Sequence, residues 1–362
     1  MKQKININCR AFNSEKELDE QRVLFLDCFP EVAGMPITTK PYYKWKFHSV
    51  PTKMPQSSYE YIALKDNEEM VGYYACIPYH YKVDDKEFDA GMVCDVMTSS
   101  KYRGAGIFTK LGFHATDEFA KEGLAFSTGY PIRKAPLPGH MKVGWKVMFD
   151  MPLYMRFLSA DSVMKEKGYA WVRFVATPCI KLYNLLCWKP NNKNVKIRIF
   201  NRIDEVKGFV EFEEKWRSGI KIALHKTIDF MKWRLGAPGK EYHFVCAYKG
   251  DMLVGMTIAL PIIKEGVPSY GLVDFMVLPE HRDCLNTLHN ALKKMARENG
   301  KEAIMTMMSL PSQKKYKMTC NGFLRSPFIF HYIIKKFNQE IPDELLKDVN
   351  NWELRFIDSD DL

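Results

Sequence analysis

Residues 95–111 read DVMTSSKYRGAGIFTKL, and the order of residue types in this stretch decides the fold. A strand end runs into a turn that holds Gly104 and Gly106, after which Ile107, Leu111, Ala115 and Phe119 recur every four residues. The spacing predicts an amphipathic helix from Ala105 to about Lys121, with Lys110, Asp117 and Lys121 elsewhere around the cylinder and Gly123 as its stop. A strand that turns through glycines into a helix builds an anion site. Glycines let the backbone approach closely, successive N–H groups point into the turn, and the helix start carries partial positive charge. Arg103 adds a full charge, so pyrophosphate is the natural guest. The spacing differs from GxxxxGK[ST], and no acidic residue stands where a dinucleotide ribose needs one, so neither of those nucleotide folds is expected.

Upstream, Tyr59–Leu64, the turn DNEE and Met70–Ile77 predict a hairpin, followed by a strand over Gly91–Thr98. Downstream come a strand at Leu124–Thr128, the loop PIRKAPLPG and a short helix into His140. This order returns in the second half. YYKWKFHSVP is answered by FMKWRLGAP, and AGMVCDVMTSSKYRGAGIFTKL by YGLVDFMVLPEHRDCLNTLHNAL. Trp45 with Trp233, Gly72 with Gly255, Asp95 with Asp274, Arg103 with Arg282 and Gly144 with Gly322 keep their order, and Leu285, Leu288, Leu292 and Met295 form a matching helical stripe ended by Gly300. Landmarks held in register mean two copies of one fold. The expected domains are 1–150, a helix-bearing linker over 151–194 that closes with KPNNKN, and 195–362. In the second copy, HRDCLN puts Asp283, Cys284 and Leu285 at the places of Gly104, Ala105 and Gly106. A carboxylate there repels a pyrophosphate and side chains block backbone approach, so this copy is expected to bind none.

The composition agrees with two globular domains: 362 residues, 46% hydrophobic and 27% charged. The 53 Lys and Arg against 43 Asp and Glu give +10, which favours polyanionic partners. Nine cysteines without a CxxC pair argue against a disulfide framework or a zinc knuckle and fit a reducing, cytoplasmic setting. No bound metal is expected. Tyr169–Trp188, the most lipophilic run, is broken by Arg173, Pro178 and Lys181 and reads as an interdomain helix or a surface-packed segment, with no membrane span expected. No base-reading helix or stacked aromatic platform appears, so nucleic acid is not expected.

The stretch YRGAGI after a strand resembles the coenzyme A signature R/Q-x-x-G-x-G/A of the GNAT N-acetyltransferase superfamily, and HMKVGWK is similar to that family's closing Y-x-K-x-G-F, with Lys142, Gly144 and Trp145 in place. The resemblance implies an α/β protein of two tandem GNAT-like domains, each a mixed twisted β-sheet flanked by helices, the first active and the second degenerate and shaping the acceptor site. It implies acyl-coenzyme A, acetyl or longer, as co-substrate, held by Met97, Thr98, Arg103, Gly104, Ala105, Gly106, Ile107 and Phe108, with the strand bulging at Met97 and Thr98 to free N–H groups for the oxyanion. Met97 and Phe108 leave room for acyl groups larger than acetyl. It further implies direct attack by a primary amine.

For the leaving thiolate the family commonly uses a tyrosine four residues before the closing glycine. His140 stands there and could act as general acid, with Tyr130 as an alternative and helix capping as the non-catalytic reading. Asp95 is the candidate base, with Asp89 and His80 behind it; the equivalent Asp274 leaves a structural role or a shared acceptor cleft open. Alternation along the strand puts Cys94 and Asp95 on opposite faces, which favours a buried apolar Cys94 over an acyl-cysteine. The paired Trp motifs read as common packing. The overall layout resembles enzymes that acylate the amine of a nucleotide-linked deoxyamino sugar for bacterial surface polysaccharides. Aminoglycoside or protein-lysine acetyltransferases, peptidoglycan-bridge aminoacyl transferases and a non-catalytic coenzyme A module are the alternatives.

Overall fold

The computed structural model of the chain describes residues 6–133, 135–162, 173–264 and 266–360. The chain forms two compact units, one of residues 1–149, 237–239 and 331–347, the other of residues 150–236, 240–330 and 348–362. Each is a mixed β-sheet flanked by helices. Among the described residues no helix is long and apolar enough to cross a membrane.

In the first unit the strands β1 (Ile7–Ala11), β2 (Tyr59–Lys65), β3 (Glu69–Val83) and β4 (Lys86–Thr98) pair antiparallel in chain order. β5 (Phe126–Gly129) then runs parallel to β4, pairing only at Gly91 with Ser127 and Met92 with Thr128. Beyond those pairs the two strands part. Helices α1 (Ser14–Cys28) and α2 (Lys40–His48) precede the hairpin, and α3 (Ile107–Lys121) and α4 (Leu137–Lys142) follow β4 and β5. Side chains alternate across a strand, so Tyr73 and Tyr74 face opposite sides. Phe47 of α2 meets Tyr73 edge-on at 6.5 Å between ring centroids, whereas Phe119 of α3 lies 6.1 Å from Tyr74. The predicted stripe Ile107, Leu111, Ala115 and Phe119 is buried against Tyr61, Val71, Tyr74 and Val93. Each large member of that stripe contributes roughly 1.5–3 kcal/mol on burial.

The second unit repeats the plan. Its strand order is β6, β12, β11, β10, β9, β7, from β6 (Lys146–Phe157), β7 (Lys196–Phe200), β9 (His243–Lys249), β10 (Met252–Lys264), β11 (Val267–Val277) and β12 (Ala303–Met307), with β8 (Ile222–Leu224) off this path. Its helices are α5 (Arg173–Leu186), α6 (Phe209–Ser218), α7 (Ile228–Arg234), α8 (Cys284–Glu298) and α9 (Leu310–Lys315). The stripe Leu285, Leu288, Leu292 and Met295 of α8 is buried with Val245, Leu272 and Ile304.

Two boundaries differ from the sequence expectation. Residues 151–157 are not linker: they belong to the second unit, where 153–157 of β6 pair antiparallel with β12. Nor does the C-terminal segment lie wholly in the second unit. Residues 331–347 belong to the first, where Ile333–Lys336 of β13 (Leu324–Lys336) pair antiparallel with β5 from Gly129 to Phe126. The physical reason is the open edge left by a parallel strand that pairs on one side only. No local periodicity reveals which later strand covers such an edge. α5 covers most of Tyr169–Trp188, and residues 169–172 of that run lie outside the described residues.

Candidate active site at the glycine turn

The chain leaves β4 at Thr98, passes a short helical turn at Ser100–Tyr102 and enters α3 at Ile107. Gly104 and Gly106 both take φ +81°, and a Cβ at either would have nothing within 4 Å. Glycine is required there by backbone conformation rather than by crowding. The same angle makes Gly106 the N-cap, which is why the helix begins two residues later than its periodicity predicts. The first turn of α3 therefore presents N–H groups without intrahelical partners.

These groups open on a cavity of about 580 Å³. Val96 and Thr98 of β4 form one wall, and Arg103, Gly104, Gly106, Ile107 and Phe108 the turn and helix start. Arg133, Pro136, Gly139 and Lys142 close it from the segment after β5, and Cys28 and Phe29 from the end of α1. Arg103 and Lys142 bring two cations to the anion site, beside Arg133, whose guanidinium pairs with Glu31. Asp27 of α1 braces the turn by accepting from Ser100 N at 2.8 Å and Ser100 Oγ at 2.6 Å, bonds that, with Arg103 nearby, hold its carboxyl below the usual range. Thr98 Oγ1 is buried without a hydrogen-bond partner among the described residues.

Of the residues singled out from sequence, Thr98, Arg103, Gly104, Gly106, Ile107 and Phe108 line this cavity, and Met97 and Ala105 do not. Met97 pairs with Tyr73 and is buried on the opposite face of the sheet, so its side chain gives no room to an acyl group. The bulge also lies elsewhere than expected. Met97 and Thr98 stand in regular register with Tyr73 and Gly72, whereas Asp95 and Val96 together oppose Tyr74, and Asp95 takes φ +47°. A bulge leaves one residue outside the ladder, so the spare backbone donor belongs to Asp95–Val96. It also resets the alternation. Cys94 and Asp95 share a face, with Sγ and a carboxylate oxygen within 4.8 Å of each other. That face is the one of α2, where Lys46 Nζ donates to Asp95 Oδ1 at 2.9 Å and both side chains are buried.

His140 lies under the cavity floor rather than in its lining. It is 5% exposed and packs edge-on against Phe108 at 5.0 Å and Trp145 at 5.4 Å. Burial lowers its pKa to about 4, so the imidazole is neutral near pH 7. His80 is held between Asp89 at 2.9 Å and Glu87 at 3.4 Å on the β3–β4 hairpin, and neither His80 nor Asp89 lines the cavity. Cys28, Phe29, Arg133 and Lys46 were not foreseen as site residues. A signal for Arg133 was present in the basic loop PIRKAPLPG, but nothing local to α1 or α2 pointed to this turn.

The second copy is corrected in one respect. A Cβ on Gly72 would sit 3.1 Å from Ile107 and 3.2 Å from Leu111, and one on Gly255 would sit 2.8 Å from Cys284 and 3.0 Å from Leu288. Ile107 therefore corresponds to Cys284, and the N-cap Gly106 to the N-cap Asp283. Arg103 precedes Ile107 by four positions and Arg282 precedes Cys284 by two. The places of Gly104 and Ala105 are thus deleted rather than substituted. The strand differs as well. β11 keeps Asp274 in register with Ile258 and bulges at Val273, and Asp274 has no left-handed backbone. Lys226 pairs with Asp274 at 2.7 Å, fully buried, from a position just before the N-cap of α7, whereas Lys46 reaches Asp95 from the last turn of α2. The two ion pairs are alike in chemistry and unlike in origin.

Residues 9–148 match the family described as Acetyltransferase (GNAT) domain. The match spans less than half of the chain, and it supports an acyl-coenzyme A dependent N-acyltransferase. Solved structures extend the likeness over both units. A conserved protein of unknown function from Enterococcus faecalis V583, described as a probable N-acyltransferase, is 13% identical with a TM-score of 0.62, over 92% of this chain and 73% of that one. A GCN5-related N-acetyltransferase from Anabaena variabilis is 11% identical with a TM-score of 0.64, over 92% and 73%. The N-myristoyltransferase of Saccharomyces cerevisiae with bound myristoyl-CoA is 10% identical with a TM-score of 0.61, over 91% and 79%. At these identities the likeness is one of fold. No curated protein matches the chain in sequence.

Proposed function

We propose that this GNAT-type enzyme transfers an acetyl or longer acyl group from coenzyme A to the primary amine of a small acceptor, a nucleotide-linked deoxyamino sugar, in the cytoplasm. The observation that carries the coenzyme part is the cavity where β4 and β5 part: a left-handed two-glycine turn, an uncapped helix start, Arg103 and Lys142 converge on it. Acyl-coenzyme A supplies the activated thioester. The N–H groups of the α3 start, Arg103 and Lys142 would hold its pyrophosphate, and the backbone donor freed at Asp95–Val96 would stabilise the oxyanion.

We assign Asp95, which faces α2 with Lys46 fixing its carboxylate, to receive the ammonium proton of an acceptor that reaches the bulge from that face, opposite the coenzyme cavity. His140 we assign to packing, because a buried neutral imidazole has no acidic proton to give near neutrality. A thiol of ordinary pKa, about 8.5, leaves well without full protonation. Thr98 Oγ1, buried at the cavity wall and unpartnered among the described residues, can solvate the departing sulfur by a single hydrogen bond. The acceptor class rests on the tandem layout and on the net charge of +10, which suits a second diphosphate. Free thiol released from acetyl- and longer acyl-coenzyme A, measured over nucleotide-linked amino sugars, aminoglycosides and peptides, tests it. Turnover with the sugars supports the reading, and turnover with peptides alone removes it.

A further inference from the structure

The second unit carries a groove of its own, about 620 Å³, between α8, β7 and the segment 188–191. One side is apolar, formed by Ile197, Ile199, Met295 and the ring of Trp188, which is 55% exposed. The other is cationic, formed by Lys293, Lys294 and Arg297. The wall that carries Trp188 is built rather than loose. Asn290 Nδ2 on α8 donates to Lys189 O at 2.8 Å and to Asn191 Oδ1 at 2.6 Å, and Asn192 N donates to Thr287 Oγ1 at 2.8 Å. The sequence KPNNKN, a plain breaker when read alone, is the clamp that sets the ring beside the helix.

Lys293 is the telling residue. It is 7% exposed, lines the groove, and has no hydrogen bond or carboxylate partner among the described residues. Its neighbours are cations. Burial, then Arg156 and Arg297, push its pKa down to about 8, and Arg156 behind it, itself buried with Nη2 unpartnered, is lowered to about 10. Among the described residues that line the groove the one carboxylate, Glu298, lies 3.8 Å from Lys294 and is exposed. A lysine with a largely buried stem, whose ammonium opens on the groove without a counter-charge, is a ready ligand for an anion.

From this juxtaposition we propose that the groove is a second ligand site, separate from the acyl-coenzyme A cavity, that binds a nucleoside diphosphate. The phosphates meet Lys293 and Arg297, and the ring stacks on Trp188. Fatty carboxylates would satisfy the cations but not the exposed planar ring, and they form the competing outcome.

The test is calorimetric titration of the full chain with uridine diphosphate, inorganic pyrophosphate and palmitate at about 0.1 M salt, where surface charges are largely screened. Uridine diphosphate is expected to bind more tightly than either alternative, and equally well to Arg103→Ala, whose lesion lies in the other site. Lys293→Met and Arg297→Gln should each weaken it by about tenfold or more, and Trp188→Ala should reduce it to the level of pyrophosphate. Lys293→Met should also raise the melting temperature, because it removes a charge that Arg156 and Arg297 repel; Arg297→Gln, at the surface, keeps the binding test readable whatever that variant does. Binding that survives both cation variants, is lost in Arg103→Ala, or is matched by pyrophosphate or palmitate overturns the proposal. So does a Lys293→Met protein that melts lower, since Lys293 would then already have a partner.

Discussion

Cys94 and Asp95 are neighbours on one strand and face the same side of the sheet, their Sγ and carboxylate within 4.8 Å, because Asp95 takes φ +47° and breaks the alternation. A left-handed residue other than glycine is uncommon, and aspartate and asparagine tolerate it best. The conformation and the carboxylate can therefore be separated. Asp95→Asn should keep the bulge and remove the base, lowering kcat by about 100-fold or more with little change in KM for acyl-coenzyme A. Asp95→Ala should lose both and also the ion pair with Lys46, lowering stability in urea unfolding. An Asp95→Asn enzyme with normal kcat would assign the residue to structure alone.

At the turn, Gly106→Ala meets no atom but must hold φ +81°, which costs an L-residue roughly 1–2 kcal/mol. Arg103→Ala removes a charge-assisted contact worth about 1.5–3 kcal/mol, so KM for acyl-coenzyme A should rise by about 10- to 100-fold with kcat less affected. Steady-state kinetics at two salt concentrations checks this. The difference between wild type and Arg103→Ala should shrink as salt rises.

His140 and His289 are buried histidines with pKa values lowered to about 4 and about 3. Each is neutral when folded and binds a proton more readily when unfolded, near the ordinary value of about 6.5. Their contribution to stability is thus complete above about pH 6.5 and is lost as pH falls through the window toward the folded values. Urea unfolding at pH 7.5 and pH 5 should show a clear loss at the lower pH, smaller in His140→Phe. That variant should keep kcat within a few-fold at pH 7.5. A loss of kcat on the scale expected for Asp95→Asn would restore His140 as the acid.

Gly72 and Gly255 both stand where a Cβ would strike the first turn of the helix that packs on their strand. Alanine at either should destabilise by about 1–3 kcal/mol through overpacking. Only Gly72→Ala, by pushing on Ile107 at the mouth of the cavity, should also raise KM for acyl-coenzyme A. Equal effects of the two on KM would mean that both helix starts bind coenzyme.

What could be read from residues alone was whatever repeats or recurs locally: the hairpins, the stripes of α3 and α8, and the glycine turn with Arg103. The bulge was misplaced because one inserted residue changes no residue type; it shows only in which partner each position meets, Tyr74 facing two residues and Ala75 one. The two positions missing from the second turn leave no trace in residue types, because Arg282 and Asp283 still look like a signature beside Arg103 and Gly104. Strand exchange at β13 was invisible, since strand pairing is a long-range choice. Asp27, Lys46 and Arg133 reach the site from segments far away in sequence.

The central claim is that one coenzyme site exists per chain, at Arg103 to Phe108. Calorimetric titration with acetyl-coenzyme A measures it directly: the account predicts one molecule bound per chain, with affinity lost in Arg103→Ala and unchanged in Arg282→Ala. Two molecules per chain, or an equal loss in Arg282→Ala, would contradict it.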